Sequence, residues 1–175
     1  MNADELRQKQ APLKARYKDD PGAALATLRV SGRIDPSQQT CTIESGHGPL
    51  VEAGLHAAAG GGGAQACPAD MLLQSLAACA GVTLAVVATA MGIAVRGGTV
   101  TAEGDLDFRG TLGVSKEVPV GFMAVRLRFG LETDAGDDQL ATLLRLTERY
   151  CVVYQTLKAA PGLASTCVRV NAESA

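Results

Sequence analysis

The sequence predicts an α+β fold with a long buried helix, and three observations carry that expectation. The 25 residues from Met71 to Val95 hold no charge. Strand and helix patterns run in the order β-β-β-α-β-β-α-β, segregated rather than alternating as in a parallel α/β protein. The composition is aliphatic: hydrophobic residues make up 47% of the 175 but aromatic ones only 3%, with no tryptophan. A chain this long removes roughly 70% of its extended surface from water on folding, so a core forms without staples or structural metal.

The first element, residues 3–19, reads as a short amphipathic helix or arm, interrupted near Pro12 and ended by Pro21-Gly22; residues 1–22 are an appendage to a domain spanning 23–175. Leu25–Ser31, Thr40–Glu44 and Leu50–Leu55 are short and β-rich, separated by turn residues (Gly32, Asp35-Pro36, Gly46, Gly48-Pro49), which predicts a three-stranded antiparallel meander. Ala57–Ala66, containing Gly60–Gly63, reads as a flexible loop, because no Gly-Lys-Ser/Thr follows to make a phosphate cradle.

Cys67-Pro68-Ala69-Asp70 has the form of a helix entry, with Pro68 at the first helical position and Asp70 where the helix dipole favours an anion. The helix then runs to about Met91-Gly92. It is long enough to span a membrane, but it contains Gln74, Ser75, Thr83 and Thr89 and lacks interfacial aromatics, so burial inside a folded protein is the preferred reading. A helix apolar on every side needs cover on every side, which implies a second subunit. Arg96–Phe108 and Val118–Phe129 read as two long strands joined by a turn-rich hairpin at Arg109-Gly110. Val100, Ala102 and Gly104 share one face of the first, while Arg126 and Arg128 oppose Val125, Leu127 and Phe129 in the second. One helix opens at Asp137-Asp138 and runs through Cys151 to Leu157, and Thr166, Val168 and Val170 alternate in a last strand.

Charge and cysteine usage narrow the function. Sixteen basic against 18 acidic residues leave no electrostatic footprint for nucleic acid, and stacking aromatics are scarce. Five cysteines are too few and odd in number for a disulfide framework, and the first 20 residues lack an apolar signal core, so a reducing cytoplasm is expected. Cys41 reads as a small core residue, Cys167 as half exposed, and Cys67 as a cap-region residue whose thiolate a helix dipole would favour. Cys79 lies mid-helix in an alanine-rich run, on one face with Met71 and Ser75. Cys151 follows Glu148-Arg149-Tyr150. Composition does not choose between buried thiols and a redox pair here. His47, His56, Cys41 and Cys67 lack tight zinc-ligand spacing, so no metal is expected.

Two segments carry a family resemblance. Pro68-Ala69-Asp70-Met71-Leu72-Leu73, continuing through Ser75-Leu76-Ala77-Ala78-Cys79, and Glu148-Arg149-Tyr150-Cys151-Val152-Val153-Tyr154-Gln155-Thr156-Leu157 resemble the two cysteine motifs of the OsmC/Ohr family of thiol-dependent peroxidases, in the same order. The resemblance covers about Ala24 to Asn171 and points to a divergent OsmC-like branch, since Ala69 stands where the hydroperoxide-resistance branch has its acid and Asp70 supplies an acid one position later. It implies an intertwined homodimer with long central helices buried between two sheets. It also implies reduction of organic hydroperoxides, with Cys79 passing through a sulfenic acid and a Cys79–Cys151 disulfide that an external dithiol reduces, and with no cofactor. The family activates its thiol with an arginine oriented by an acid; Asp70, Arg33 and Arg109 are the candidates here, with Arg29 another. The alternative is a non-enzymatic dimer that binds a small apolar ligand or senses redox state.

Overall fold

The computed structural model describes residues 2–28, 30–35, 38, 40–44 and 49–169. Arg29, His47 and Val170 lie outside them. The chain is α+β, with one three-stranded and one two-stranded antiparallel sheet and a long central helix.

Helix α1 (Ala3–Asp19) starts on a reciprocal cap: the Glu5 amide donates to Asn2 Oδ1 at 2.9 Å and the Asn2 amide to Glu5 Oε2 at 3.1 Å. The expected interruption at Pro12 does not occur. Pro12 removes only its own amide bond to Gln8, and both residues are exposed, so water satisfies the Gln8 carbonyl and the helix continues. Leu6 is its one buried residue.

The meander forms from β1 (Ser31–Asp35), β2 (Thr40–Glu44) and β3 (Val51–Ala53), in that order. The first strand lies later than Leu25–Ser31. Gly32, read as a turn, sits within β1 opposite Ile43, where a Cβ would stand 2.8 Å from Cys41 Sγ; glycine lets the strands close there. The apolar residues before it, Leu25 and Leu28, are left exposed. The loop expected to be flexible is pinned at both ends: the Gly54 amide donates to the Ala66 carbonyl and the Ala66 amide to the Glu52 carbonyl, each at 3.0 Å.

Helix α2 (Pro68–Met91) begins with Pro68 in its first turn and ends on Gly92 in the left-handed region, φ 69°. One side of it, Leu76, Ala80, Leu84, Val87 and Ala88, is buried against β4 (Val95–Asp105) and the later helices. Among the described residues the opposite side is only partly covered: α1 packs on it, yet Val82 is 67% exposed. Length and composition alone would let this helix cross a membrane.

Strand β4 pairs with β5 (Ala124–Thr133), from Val95 opposite Thr133 to Asp105 opposite Ala124. Val100, Ala102 and Gly104 face inward as their alternation predicts, and Leu127, Phe129 and Leu131 do the same on β5. The second strand begins later than Val118. Pro119 and Gly121 lie in the irregular approach, and the turn expected at Arg109 is a single helical turn, α3 (Phe108–Thr111).

The helix expected to run from Asp137 to Leu157 is two helices, α4 (Asp137–Tyr150) and α5 (Val152–Lys158), broken at Cys151. Leu143, 1% exposed, joins Leu84, Val87 and Ile93 in the core between α4, α2 and β5. The last strand expected through Thr166 and Val168 is absent among the described residues: the segment from Pro161 to Arg169 is exposed and pairs with neither sheet.

Candidate active site

Cys79 occupies the middle of α2, one helical turn before Thr83, whose hydroxyl donates to the Cys79 carbonyl at 2.8 Å. Cys151, fully buried, sits at the junction of α4 and α5 with φ −74° and ψ 111°, an extended conformation that stops the first helix. The two thiols face each other closely enough that each shifts the other's proton affinity. Packing of α2 against both α4 and α5 therefore joins the two sequence motifs into one site.

The break supplies the donors at this site. In an unbroken helix the amides of Val152, Val153 and Tyr154 would bond the carbonyls of Glu148, Arg149 and Tyr150. Here the Tyr154 amide donates to Cys151 Sγ at 3.5 Å, capping α5, and the freed amides of Val153 and Val152 lie toward Cys79, whose thiolate they favour. The Cys151 amide still reaches the Thr147 carbonyl at 2.9 Å, and the Gln155 amide the Cys151 carbonyl at 3.0 Å, so the interruption is confined to one residue.

The electrostatic consequence is an asymmetric pair. Burial pushes the Cys79 thiol up, but the Val153 amide, the Cys151 thiol, the Val152 amide and the Thr83 hydroxyl together outweigh it and hold Cys79 below the ordinary thiol range. Cys151 moves the other way: burial raises it, and the neighbouring Cys79 and the charge there add to that against the opposing Tyr154 amide. The pair thus favours a thiolate on Cys79 receiving a proton-bearing thiol from Cys151. That is the charge distribution of a nucleophile beside a second, waiting thiol.

The remaining candidates lie elsewhere in the chain. Asp70 is exposed in the first turn of α2. Arg109 is engaged by Asp107, with Nε 3.0 Å from Oδ1 and Nη2 2.6 Å from Oδ2, and Asp107 also accepts the Arg109 amide at the start of α3. Arg33 is on β1 opposite Thr42. Among the described residues, the groups acting on Cys79 include no arginine. Sequence reasoning did not reach Thr83 or the freed amides. Thr83 continues the Met71, Ser75, Cys79 spacing by one further step, a signal that was available; the amides carry no side-chain signal at all.

Two cavities are lined by chain neighbours of the pair, though by neither cysteine itself. One of about 550 Å³, between α1, α2 and α4, includes Thr83, Val86 and Tyr150. Another of about 550 Å³, between α2, β5 and α5, includes Leu76, Phe122 and Tyr154. Cys41 and Cys67 instead line a third, of about 490 Å³, with His56 stacked on Phe108 at 4.8 Å. Among the described residues no group of three or more His, Cys, Asp or Glu side chains could hold a metal ion. Cys167 is exposed and apart from these sites.

A family profile described as OsmC-like protein matches residues 60–165, which include both cysteines. The chain belongs to this family. Solved OsmC-like structures share the fold. An OsmC-like protein from Mycoplasma pneumoniae superposes with a TM-score of 0.64 at 14% identity, covering 77% of this chain and 89% of that one. An organic hydroperoxide resistance protein OsmC from Legionella pneumophila gives 0.60 at 18% identity, covering 77% and 93%. The organic hydroperoxide resistance protein OhrB of Bacillus subtilis gives 0.54 at 18% identity with the same coverages. No curated protein matches the sequence. At these identities the OsmC-like relatives establish the fold, and the chemistry of this chain has to be argued from its own thiol pair.

Proposed function

We propose that this OsmC-like protein is a thiol-dependent peroxidase that reduces organic hydroperoxides. The observation supporting it is the facing Cys79–Cys151 pair, brought together by the packing of α2 on α4 and α5, with Cys79 shifted toward thiolate and Cys151 toward thiol. The Cys79 thiolate attacks the distal oxygen of the hydroperoxide, the O–O bond breaks, and the departing alkoxide takes a proton to become an alcohol. Cys79 is then a sulfenic acid. Cys151, on losing its proton, attacks the Cys79 sulfur; the S–O bond breaks, hydroxide leaves and is protonated to water, and a disulfide forms. An external dithiol returns both thiols. No cofactor enters this scheme.

The apolar cavities lined by chain neighbours of the pair favour an organic substrate over hydrogen peroxide. The partly covered side of α2 supports a homodimer, and a reducing cytoplasm suits a protein whose cycle starts from two free thiols.

Thiol mapping after one equivalent of cumene hydroperoxide tests the reading. A Cys79–Cys151 disulfide is expected in the wild type, and Cys79→Ser should abolish dithiol-dependent peroxide loss. Absence of the disulfide together with unchanged peroxide loss in Cys79→Ser overturns it.

A further inference from the structure

The break at Cys151 leaves the Glu148 carbonyl without its ordinary partner, the Val152 amide, and the structure fills that vacancy from beyond the break. Gln155 Nε2 donates to the Glu148 carbonyl at 2.8 Å. The Tyr154 hydroxyl faces the Glu148 carboxylate closely enough for that charge to act on its proton. Burial and then the Glu148 charge keep the Tyr154 hydroxyl protonated, hence a donor. One residue of α4 is thus held by two side chains of α5, one at its main chain and one at its side chain, and the bridged segment contains Cys151.

We propose that Glu148, Tyr154 and Gln155 form a clamp that fixes the angle between α4 and α5 and thereby positions the Cys151 thiol for attack on Cys79. The three are positioning residues; none touches either sulfur with its side chain. The proposal rests on the peroxidase reading for its biological setting, but its physical content concerns how fast the two thiols join. Disulfide geometry is demanding, with an S–S bond of about 2.05 Å and a dihedral near 90°, so small changes in the angle between the two helices matter. Each bond removed leaves Glu148 a choice between water and an altered angle. The covalent step is the one written above, with Cys151 displacing hydroxide from the Cys79 sulfenic acid; with diamide as oxidant, a thiol of the pair adds to the azo bond, the second thiol displaces the resulting hydrazine, and the azo compound is reduced by two electrons.

The test measures disulfide formation in the full-length protein by stopped-flow and thiol mapping, with cumene hydroperoxide and, separately, with diamide. Tyr154→Phe and Gln155→Leu should each slow it several-fold, and the double variant about tenfold or more, with sulfenic acid on Cys79 accumulating to a dimedone probe in the peroxide arm. Glu148→Gln, which keeps both acceptors, should retain a near wild-type rate. A merely structural role would lower the melting temperature without separating sulfenic acid formation from its resolution. Wild-type rates in the folded double variant with diamide overturn the clamp. Disulfide formation with diamide but not with peroxide overturns the peroxidase reading while leaving the clamp testable by the same rates. Should Tyr154→Phe fail to fold, Gln155→Leu at the exposed side of α5 carries the comparison alone.

Discussion

The amide of Tyr154 donates to the sulfur of Cys151 at 3.5 Å, so the second cysteine of the pair is also the cap of the helix that follows it. The bond ties a redox group to a secondary-structure boundary. It works against the difference between the two thiols, because it lowers Cys151 while burial and the neighbouring Cys79 raise it, and the Val153 amide acts on both.

That difference sets the pH dependence of reactivity. With Cys79 lowered, its thiolate fraction persists as pH falls below the ordinary thiol pKa of about 8.5. The rate of Cys79 alkylation by iodoacetamide should therefore reach its half-maximum at lower pH than for a free cysteine. Cys151→Ala removes one of the donors to Cys79 and should move that midpoint upward.

Arg109→Ala should leave the alkylation midpoint of Cys79 where it is in the wild type. Its guanidinium is held in a two-bond fork by Asp107, and hydrogen bonding to that carboxylate raises its proton affinity. With the arginine largely in solvent, its removal should leave the urea unfolding midpoint nearly unchanged. A downshifted reactivity in this variant would assign Arg109 to the site.

Leu143→Ala should cost about 3 kcal/mol of stability, since the side chain is 1% exposed and packed among Leu84, Val87 and Ile93. Chemical denaturation measures the loss. The Cys79 alkylation midpoint should not change in the fraction that remains folded.

The four glycines at 60–63 should respond unequally to alanine. At Gly61 a Cβ would fall 1.8 Å from the Leu55 carbonyl oxygen, and the loop would have to open. Gly62 has open space and no left-handed φ, so Gly62→Ala should be neutral or slightly stabilising. Gly60 and Gly63, at φ 90° and 74°, should each lose about 1 kcal/mol. Thermal melts of the four variants give the order.

Much of this architecture was legible in residue order. Pro68 and Gly92 delimit α2 as their preferences dictate, and the alternation of Val100, Ala102 and Gly104 identifies the inward face of β4. The misplaced β1 had a local cause: Gly32 carries the ordinary signal of a turn, and only its cross-strand neighbours, Ile43 and Cys41, show it to be a point of close approach. The break at Cys151 was illegible for a stronger reason. Leu143, Thr147, Cys151 and Tyr154 keep helical spacing with neither proline nor glycine among them, so local preference favours one continuous helix. The interruption packs against α2, where the amides that the helix gives up lie toward Cys79 and favour its thiolate. Tertiary contact decides it, and a linear pattern does not contain that contact. For the same reason the two cysteines could be named as candidates while the groups acting on Cys79 could not.

A thiol held by main-chain amides is insulated from substitution in a way that one held by an arginine is not. Every residue type except proline brings an N–H to positions 152 and 153. Drift at those sites can therefore replace Val152 or Val153 by any residue but proline and leave the N–H in place, whereas the contributions of Cys151 and Thr83 depend on their side chains.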